Sequence, residues 1–198
     1  MPVNKKLSNI AFKCRGLFWA LFAAAALFFP GSFGPARYAG GMLIVVSGQL
    51  LRYWAAGYIP KYRTEKIGAP ILVTWGPYRW VRNPLYAGNF IMGLGWALML
   101  GWMWVAAFTA AFLLLYCLIV IPAEEEFLAS KFGPQYLAYR ERVPSLFPYP
   151  RKGLPDSSPH SQPFDRERAW SEEIYSIRMN LIYLCFTKTC TMTEIYKK

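Results

Sequence analysis

The sequence predicts an all-α, multi-pass transmembrane helical bundle with four full spans and one further C-terminal segment. Of its 198 residues, 55% are hydrophobic and only 17% are charged, which is unusual for a soluble domain of this length. Four segments approach the roughly 20 apolar residues that a spanning helix needs. The net charge of +11 gathers between these segments, as the positive-inside rule describes, so we expect a membrane-embedded protein with no nucleic-acid partner.

The four predicted spans cover residues 10–29, 38–59, 85–100 and 102–121. Glycines in the second and third spans provide small surfaces for close helix packing. The polar residues Gln49 and Asn89 are interpreted either as interhelical hydrogen-bonding groups or as substrate contacts. The tryptophans, Trp75 and Trp96 among them, are expected to be interfacial anchors or lipid-facing bulk.

The third and fourth spans are so close in sequence that they must form an antiparallel hairpin. If the spans alternate, the basic residues of the amino-terminal segment, of loop 60–84 and of the region after Ile121 all lie on one side. The positive-inside rule then places these segments, and with them the active site, in the cytoplasm.

The region after the hairpin is predicted to be less regular. Residues 123–132 are expected to form a short helix whose first turn holds Glu124, Glu125 and Glu126, because the helix dipole favours acids there. Residues 151–163 form a polar linker. The stretch 170–186 is interrupted by charged and polar residues, so we expect it to lie in the interface or to insert part-way rather than to span.

Two domains follow from this organisation. Residues 1–150 form a membrane-embedded domain with its core motifs at 74–148, and residues 151–198 comprise the linker and an amphipathic or partly inserted segment. We expect no metal site, because the four cysteines lack CxxC spacing and there is a single histidine.

The chemistry-bearing residues fall into two clusters that bracket the hairpin. One is the loop string TWGPYRWVRNPLYAG at 74–88, and the other is the acidic run Glu124 to Glu126. An out-and-back hairpin brings its two ends together. We therefore expect Arg82 and Asn83 to face Glu124 or Glu125 at the membrane boundary.

These motifs, followed by FGPQYLAY at 132–139 and RVPSLFP at 142–148, resemble the isoprenylcysteine carboxyl methyltransferase and phospholipid methyltransferase superfamily of integral membrane enzymes. The order and spacing cover roughly the middle 40% of the chain, which makes the resemblance specific. It implies a small helical enzyme that uses S-adenosylmethionine on a lipid or lipidated substrate entering from the bilayer.

The resemblance also implies the site residues. The catalytic set would be Arg82, Glu124 and Glu125. The cofactor pocket would comprise Tyr78, Arg82, Asn83, Pro84, Tyr86, Gly88, Glu124, Glu125, Tyr136, Tyr139 and Arg142. S-adenosylmethionine carries an ammonium, a carboxylate and a sulfonium, so an acid for the ammonium and the guanidinium of Arg82 for the carboxylate suit it chemically.

The acceptor is less closely specified by the motif. The carboxyl methyltransferases typically have histidine where this chain has Asn83, and a basic residue before the acidic pair where this chain has residues 119–123. This favours an amine or another neutral acceptor, as in phospholipid N-methylation. Two alternatives stay open: a membrane reductase of the steroid-reductase type that uses NADPH, and a non-catalytic membrane scaffold.

Overall fold

The computed structural model describes residues 17–22, 24, 35–59, 71–148 and 161–195, with side chains up to residue 182. Most of the predicted first span, residues 60–70 of loop 60–84, residues 149–160, which include most of the predicted linker, and residues 196–198 lie outside these ranges.

The described residues form helices and connecting segments, with no β-strand among them, which confirms the predicted all-α class. Residues 17–22 are helical. The five longer helices are α1 (Pro35–Ala56), α2 (Pro84–Leu100), α3 (Trp102–Phe132), α4 (Pro134–Arg142) and α5 (Arg166–Ile195). A short 3₁₀ helix, Gly76–Arg79, precedes α2.

Helices α1 and α2 pack closely and antiparallel through paired glycines. A methyl group added to Gly41 would lie 2.6 Å from the carbonyl oxygen of Gly95, and one added to Gly48 would lie 2.7 Å from that of Gly88. Only glycine leaves room for backbones this close. The predicted packing role of these small residues is confirmed.

Helices α2 and α3 form the predicted hairpin. Its tip is Gly101, whose φ of 129° is a backbone conformation that favours glycine. Between the two helices lies an aromatic core in which Phe90, Phe108 and Phe112 are in ring contact. Phe18 and Trp19 of the amino-terminal helical stretch pack onto the same core.

Helix α3 is continuous, whereas the sequence suggested a span followed by a separate helix. Pro122 lacks an N–H group and its ring crowds the carbonyl four residues earlier, so an α-helical register is disfavoured just before it. The helix widens into π-helical turns over Leu113–Val120 and so passes the proline without ending. Glu124 lies in the first α-helical turn after the π-helical segment, as predicted. That turn continues a longer helix and is not a free helix start.

The span count is supported for one helix. Among the described residues, only Trp102–Phe132 is long and apolar enough to cross a bilayer, while Pro84–Leu100 is apolar but shorter. The four-span count stays a prediction. Two of the tryptophan assignments were wrong, because Trp75 and Trp96 are buried in the protein. Trp80 and Trp102 are exposed, as expected.

Candidate active site at the base of the hairpin

The loop before α2 is held against helix α4. The hydroxyl of Tyr139 donates a 2.6 Å hydrogen bond to the backbone carbonyl of Tyr78 in the 3₁₀ helix. This helix begins at Gly76, whose φ of 59° and close approach to the Tyr58 ring exclude a larger residue. The loop is thus fixed to α4 rather than extended into solvent.

Arg82 and Glu125 form a buried ion pair, as the hairpin geometry predicted. The Arg82 Nη2 atom lies 2.9 Å from both carboxylate oxygens of Glu125, and its Nε lies 3.0 Å from Oε1. The side chains are 10% and 9% exposed. Fork-on-carboxylate geometry of this kind is the strongest form of charge-assisted hydrogen bond in proteins.

Arg82 also binds the C-terminal end of α4. Its Nη1 donates to the backbone carbonyls of Arg140, at 2.9 Å, and of Val143. Each guanidinium nitrogen is therefore bonded to a protein oxygen. A direct contact between Arg82 and a ligand would require some of these hydrogen bonds to break.

Asn83 and Ser145 complete this cluster. The Asn83 amide donates to Glu125 Oε1 at 3.0 Å, and the Ser145 hydroxyl donates to the same oxygen at 3.0 Å. In addition, the backbone N–H groups of Arg82 and Asn83 donate to the carbonyls of Pro144 and Ser145. Glu125 thus organises three segments: the loop, helix α3 and the stretch that follows α4.

Glu124 occupies a different position. The hydroxyl of Tyr86, in the first turn of α2, donates a 2.6 Å hydrogen bond to Glu124 Oε1. The Tyr86 ring packs against Tyr116 of the π-helical segment, and Glu124 is half-buried while its neighbour Glu126 is exposed. The two members of the acidic pair therefore have separate partners.

Two predicted tyrosines lie in a small core on α4. Tyr136 and Tyr139 are buried together with Val143. Burial raises the pKa of Tyr136 to about 12, and the Glu125 carboxylate adds to this while Arg82 and Arg140 oppose it. Burial likewise raises the pKa of Tyr139. Both phenols therefore stay neutral at physiological pH.

The remaining predicted residues are more scattered. Pro84 is buried at the first position of α2, where its missing N–H is tolerated. Gly88 faces α1, because a methyl group there would meet Arg52 and the Gly48 carbonyl. Arg142 is exposed at the end of α4. These three do not join the Glu125 cluster.

Other residues of the site carried no signal in the sequence. Ser145 occupies a variable position of the RVPSLFP motif, and the carbonyls of Arg140 and Val143 belong to the backbone. Trp75 precedes the motif core and is 6% exposed, and its indole N–H has no hydrogen-bond partner in the described part of the chain. A buried donor of this kind is rare and points to a missing acceptor.

Comparison with known proteins identifies the family. The profile of the phospholipid methyltransferase family matches residues 36–135. A cobalt-zinc-cadmium resistance protein of Cupriavidus metallidurans is 35% identical over 71% of this chain and 57% of its own length. Protein-S-isoprenylcysteine O-methyltransferase B of Arabidopsis thaliana is 34% identical over 55% of this chain and 58% of its own.

A steroid 5-alpha-reductase of Solanum lycopersicum is also similar, at 32% identity over 57% of this chain and 42% of its own. The chain spans about half the length of the curated relatives it matches. The family match covers half of the chain and includes α1, α2, α3 and the loop that carries Arg82. The chain belongs to the phospholipid methyltransferase family.

Proposed function

We propose that the chain is a membrane methyltransferase that transfers a methyl group from S-adenosylmethionine to a lipid or lipidated acceptor. The observation that carries this proposal is the meeting of the loop, the acidic pair and the segment after α4 around Glu125. A scaffold would have no evident need to order three polar segments around one buried carboxylate at the end of an apolar hairpin.

The residues present suit the cofactor chemically. Glu124 offers a carboxylate for the ammonium group, and the partnerless indole N–H of Trp75 offers a donor for a carboxylate or a ring nitrogen. The buried phenols Tyr136 and Tyr139 provide aromatic surface near the same loop. When bound, S-adenosylmethionine supplies an electrophilic methyl group.

The geometry favours different roles for the predicted site residues. Arg82 and Glu125 satisfy each other, so we assign them the role of positioning the pocket. Glu124, held by Tyr86, is the member of the pair that we assign to the ligand. Tyr78, Asn83, Pro84, Tyr136 and Tyr139 would shape the pocket, while Gly88 would act through helix packing and Arg142 from the aqueous side.

The membrane arrangement of the proposal follows the charge distribution. Four spans would leave the amino terminus, loop 60–84 and the acidic pair in the cytoplasm. The acceptor would enter sideways from the bilayer, and the methyl transfer would then rest on orientation and on exclusion of water rather than on a covalent intermediate. Cysteine labelling at Lys66 and Arg37 tests this arrangement, because the two positions should lie on opposite sides.

We propose an amine or another neutral group as the acceptor. Asn83 stands where the carboxyl methyltransferases have a basic residue, and its amide is committed to Glu125 and Ser145. A carboxylate acceptor would require a cation beside it. An amine arrives protonated and must lose a proton before it attacks, which a nearby carboxylate such as Glu124 can assist.

A membrane reductase that uses NADPH is the second candidate, and the similarity to the tomato steroid 5-alpha-reductase favours it. Its cofactor carries several phosphates, which bind best to clusters of arginine and lysine. In the described part of the site, Arg82 is committed to Glu125 and to two carbonyls. We therefore rank the reductase second.

Equilibrium binding on detergent-purified protein separates these functions. We expect S-adenosylmethionine to bind and NADPH not to bind, when each is titrated by calorimetry under the same conditions. Binding of NADPH alone would assign the site to a reductase. Binding of neither ligand would remove the support for an enzymatic function.

A further inference from the structure

A second buried arginine–glutamate pair lies outside the proposed active site. Arg52 of α1 donates from Nε and Nη2 to the two carboxylate oxygens of Glu173 in α5, at 2.9 and 2.7 Å. Its Nη1 donates to the side-chain carbonyl of Asn89 in α2 at 2.5 Å. Glu173 is 0% exposed, so this pair connects three helices within the protein.

Further hydrogen bonds join α5 to α1 and α2 beyond this ion pair. Gln49 donates to Glu173 at 3.0 Å and accepts hydrogen bonds from Ser176 and Asn180, both at 2.9 Å. Asn180 in turn accepts a 3.1 Å hydrogen bond from the indole of Trp96. The polar residues on this side of α5 are thus matched by partners on α1 and α2.

These contacts define the direction and depth of α5. The N–H of Asp165 donates to the carbonyl of Gly57, Glu173 meets Arg52, and Asn180 meets Gln49, so α5 runs antiparallel to α1. Trp96 lies twelve residues after the first residue of α2, which at 1.5 Å per residue is about 18 Å along the helix axis. Asn180 therefore lies beside the last third of α2.

The other face of α5 has an apolar character. Tyr175, Met179 and Ile182 are exposed, and Arg178 is the charged residue among them. Glu173 and Asn180, which interrupt the apolar sequence, are turned toward α1 and α2. These two polar groups are therefore satisfied inside the protein, as a membrane requires, and Arg178 is the charge that stays on the exposed face.

We propose that α5 is an additional membrane-inserted helix, held against α1 and α2 by the Arg52–Glu173 pair. By composition alone α5 does not pass as a span, so the proposal rests on its polar contacts with α1 and α2. With 30 residues, it is about 45 Å long, which exceeds the roughly 30 Å of the hydrocarbon layer. Its carboxyl end then lies on the side of the membrane opposite to Ser161. This inference concerns the bundle itself and holds whichever reaction the site performs.

The topology is tested on the full chain in sealed membrane vesicles, in a background without its native cysteines. Ser161→Cys and Lys198→Cys are labelled separately with a membrane-impermeant maleimide. We expect the two positions to be labelled from opposite sides. Labelling of both from the same side would overturn the insertion of α5.

The role of the Arg52–Glu173 pair is tested by charge reversal at each residue. Ile182→Cys serves as the labelling reporter. Each single reversal, Arg52→Glu or Glu173→Arg, should raise the labelling of position 182 several-fold, and the double reversal should restore the wild-type level. Glu167→Arg, at an exposed position of the same helix, is the matched control and should change little. Wild-type labelling in both single reversals, or a double reversal no better than the singles, would overturn the pairing.

Discussion

The two buried arginine–glutamate pairs in the described part of the chain hold different kinds of structure together. Arg82 pairs with Glu125 and also donates to two backbone carbonyls, so it fixes the C-terminal end of α4, where carbonyls lack partners within the helix. Arg52 pairs with Glu173 and with Asn89, which are side chains on regular helices. The first pair shapes the proposed site, and the second joins preformed helices.

This difference determines how replacing each ion pair should affect the stability of the fold. A buried ion pair between helices can often be replaced by apolar residues, because the helices satisfy their own backbones. A guanidinium that also satisfies carbonyls at a helix end has no apolar substitute, because the part-buried carbonyl of Val143 would be left without this donor. The predictions below test this contrast, from the largest expected effect to the smallest.

Breaking the site pair should have the largest effect. Arg82→Ala or Glu125→Gln leaves a buried partner unpaired, which should destabilise the fold by about 3–5 kcal/mol and weaken S-adenosylmethionine binding by roughly tenfold or more. Thermal unfolding and calorimetry in detergent measure both quantities. Glu126→Gln, at the exposed neighbour, is the control, and unchanged affinity in both site variants would remove the pair from the site.

Replacing both members of each pair should separate the two regions. Arg52→Met with Glu173→Leu should be at least about 1 kcal/mol less destabilising than the worse single variant. Arg82→Met with Glu125→Leu should show no such recovery, because the carbonyls of Arg140 and Val143 lose their donor. Two complete double-mutant cycles by thermal unfolding measure this, and equal recovery in both would contradict the contrast.

Removing the hydroxyl of Tyr86 should affect the ligand more than the fold. Tyr86→Phe keeps the ring and loses the 2.6 Å hydrogen bond to Glu124. Since a hydrogen bond to a charged group contributes about 1.5–3 kcal/mol, affinity for S-adenosylmethionine should fall roughly tenfold. Tyr116→Phe is the matched control, because that hydroxyl accepts from Trp19 in the aromatic core. Equal losses in both variants would mean that the loss does not come from the hydrogen bond between Tyr86 and Glu124.

The smallest effect should appear only at high pH. The pKa of Tyr136 rises in the folded state from its ordinary value of 10 to about 12, so ionisation favours the unfolded chain between these values. Stability should therefore be complete below pH 10 and decline as the pH rises toward 12. Tyr136→Phe should reduce this decline in thermal unfolding midpoints. A decline as steep as in the wild type would assign it to other groups, of which Tyr139 is the first candidate.

The parts of the candidate site that could be predicted from the sequence are those that local motifs contain. The hairpin follows from two apolar runs with almost no connection, and the meeting of Arg82 with Glu125 follows from that hairpin. The division between Glu124 and Glu125 could not be predicted, because it depends on which helix face each carboxylate occupies. The sequence analysis did not identify Ser145 or the carbonyls of Arg140 and Val143 as part of this cluster. Nothing in their composition or spacing distinguishes them.

The C-terminal helix was the harder part of the fold. Glu173, Arg178 and Asn180 lower the apolar character of the segment, so the sequence alone gave no basis for choosing between a surface and an inserted position. Glu173 binds Arg52 and Asn180 binds Gln49, and these partners lie more than 120 residues away in the sequence. Only tertiary packing brings them together, and the same packing explains why Trp96 is buried.

The most direct test of the proposed methyl transfer is an assay with radiolabelled S-adenosylmethionine, purified protein and a lipid extract. We expect label in the lipid fraction with the wild type and much less with Glu125→Gln. The label should survive mild base, because N-methyl products do not release methanol as methyl esters do. Base-labile label would replace the amine by a carboxylate acceptor. Absence of label from the lipid fraction, with folded wild-type protein that binds the cofactor, would contradict methyl transfer to lipid.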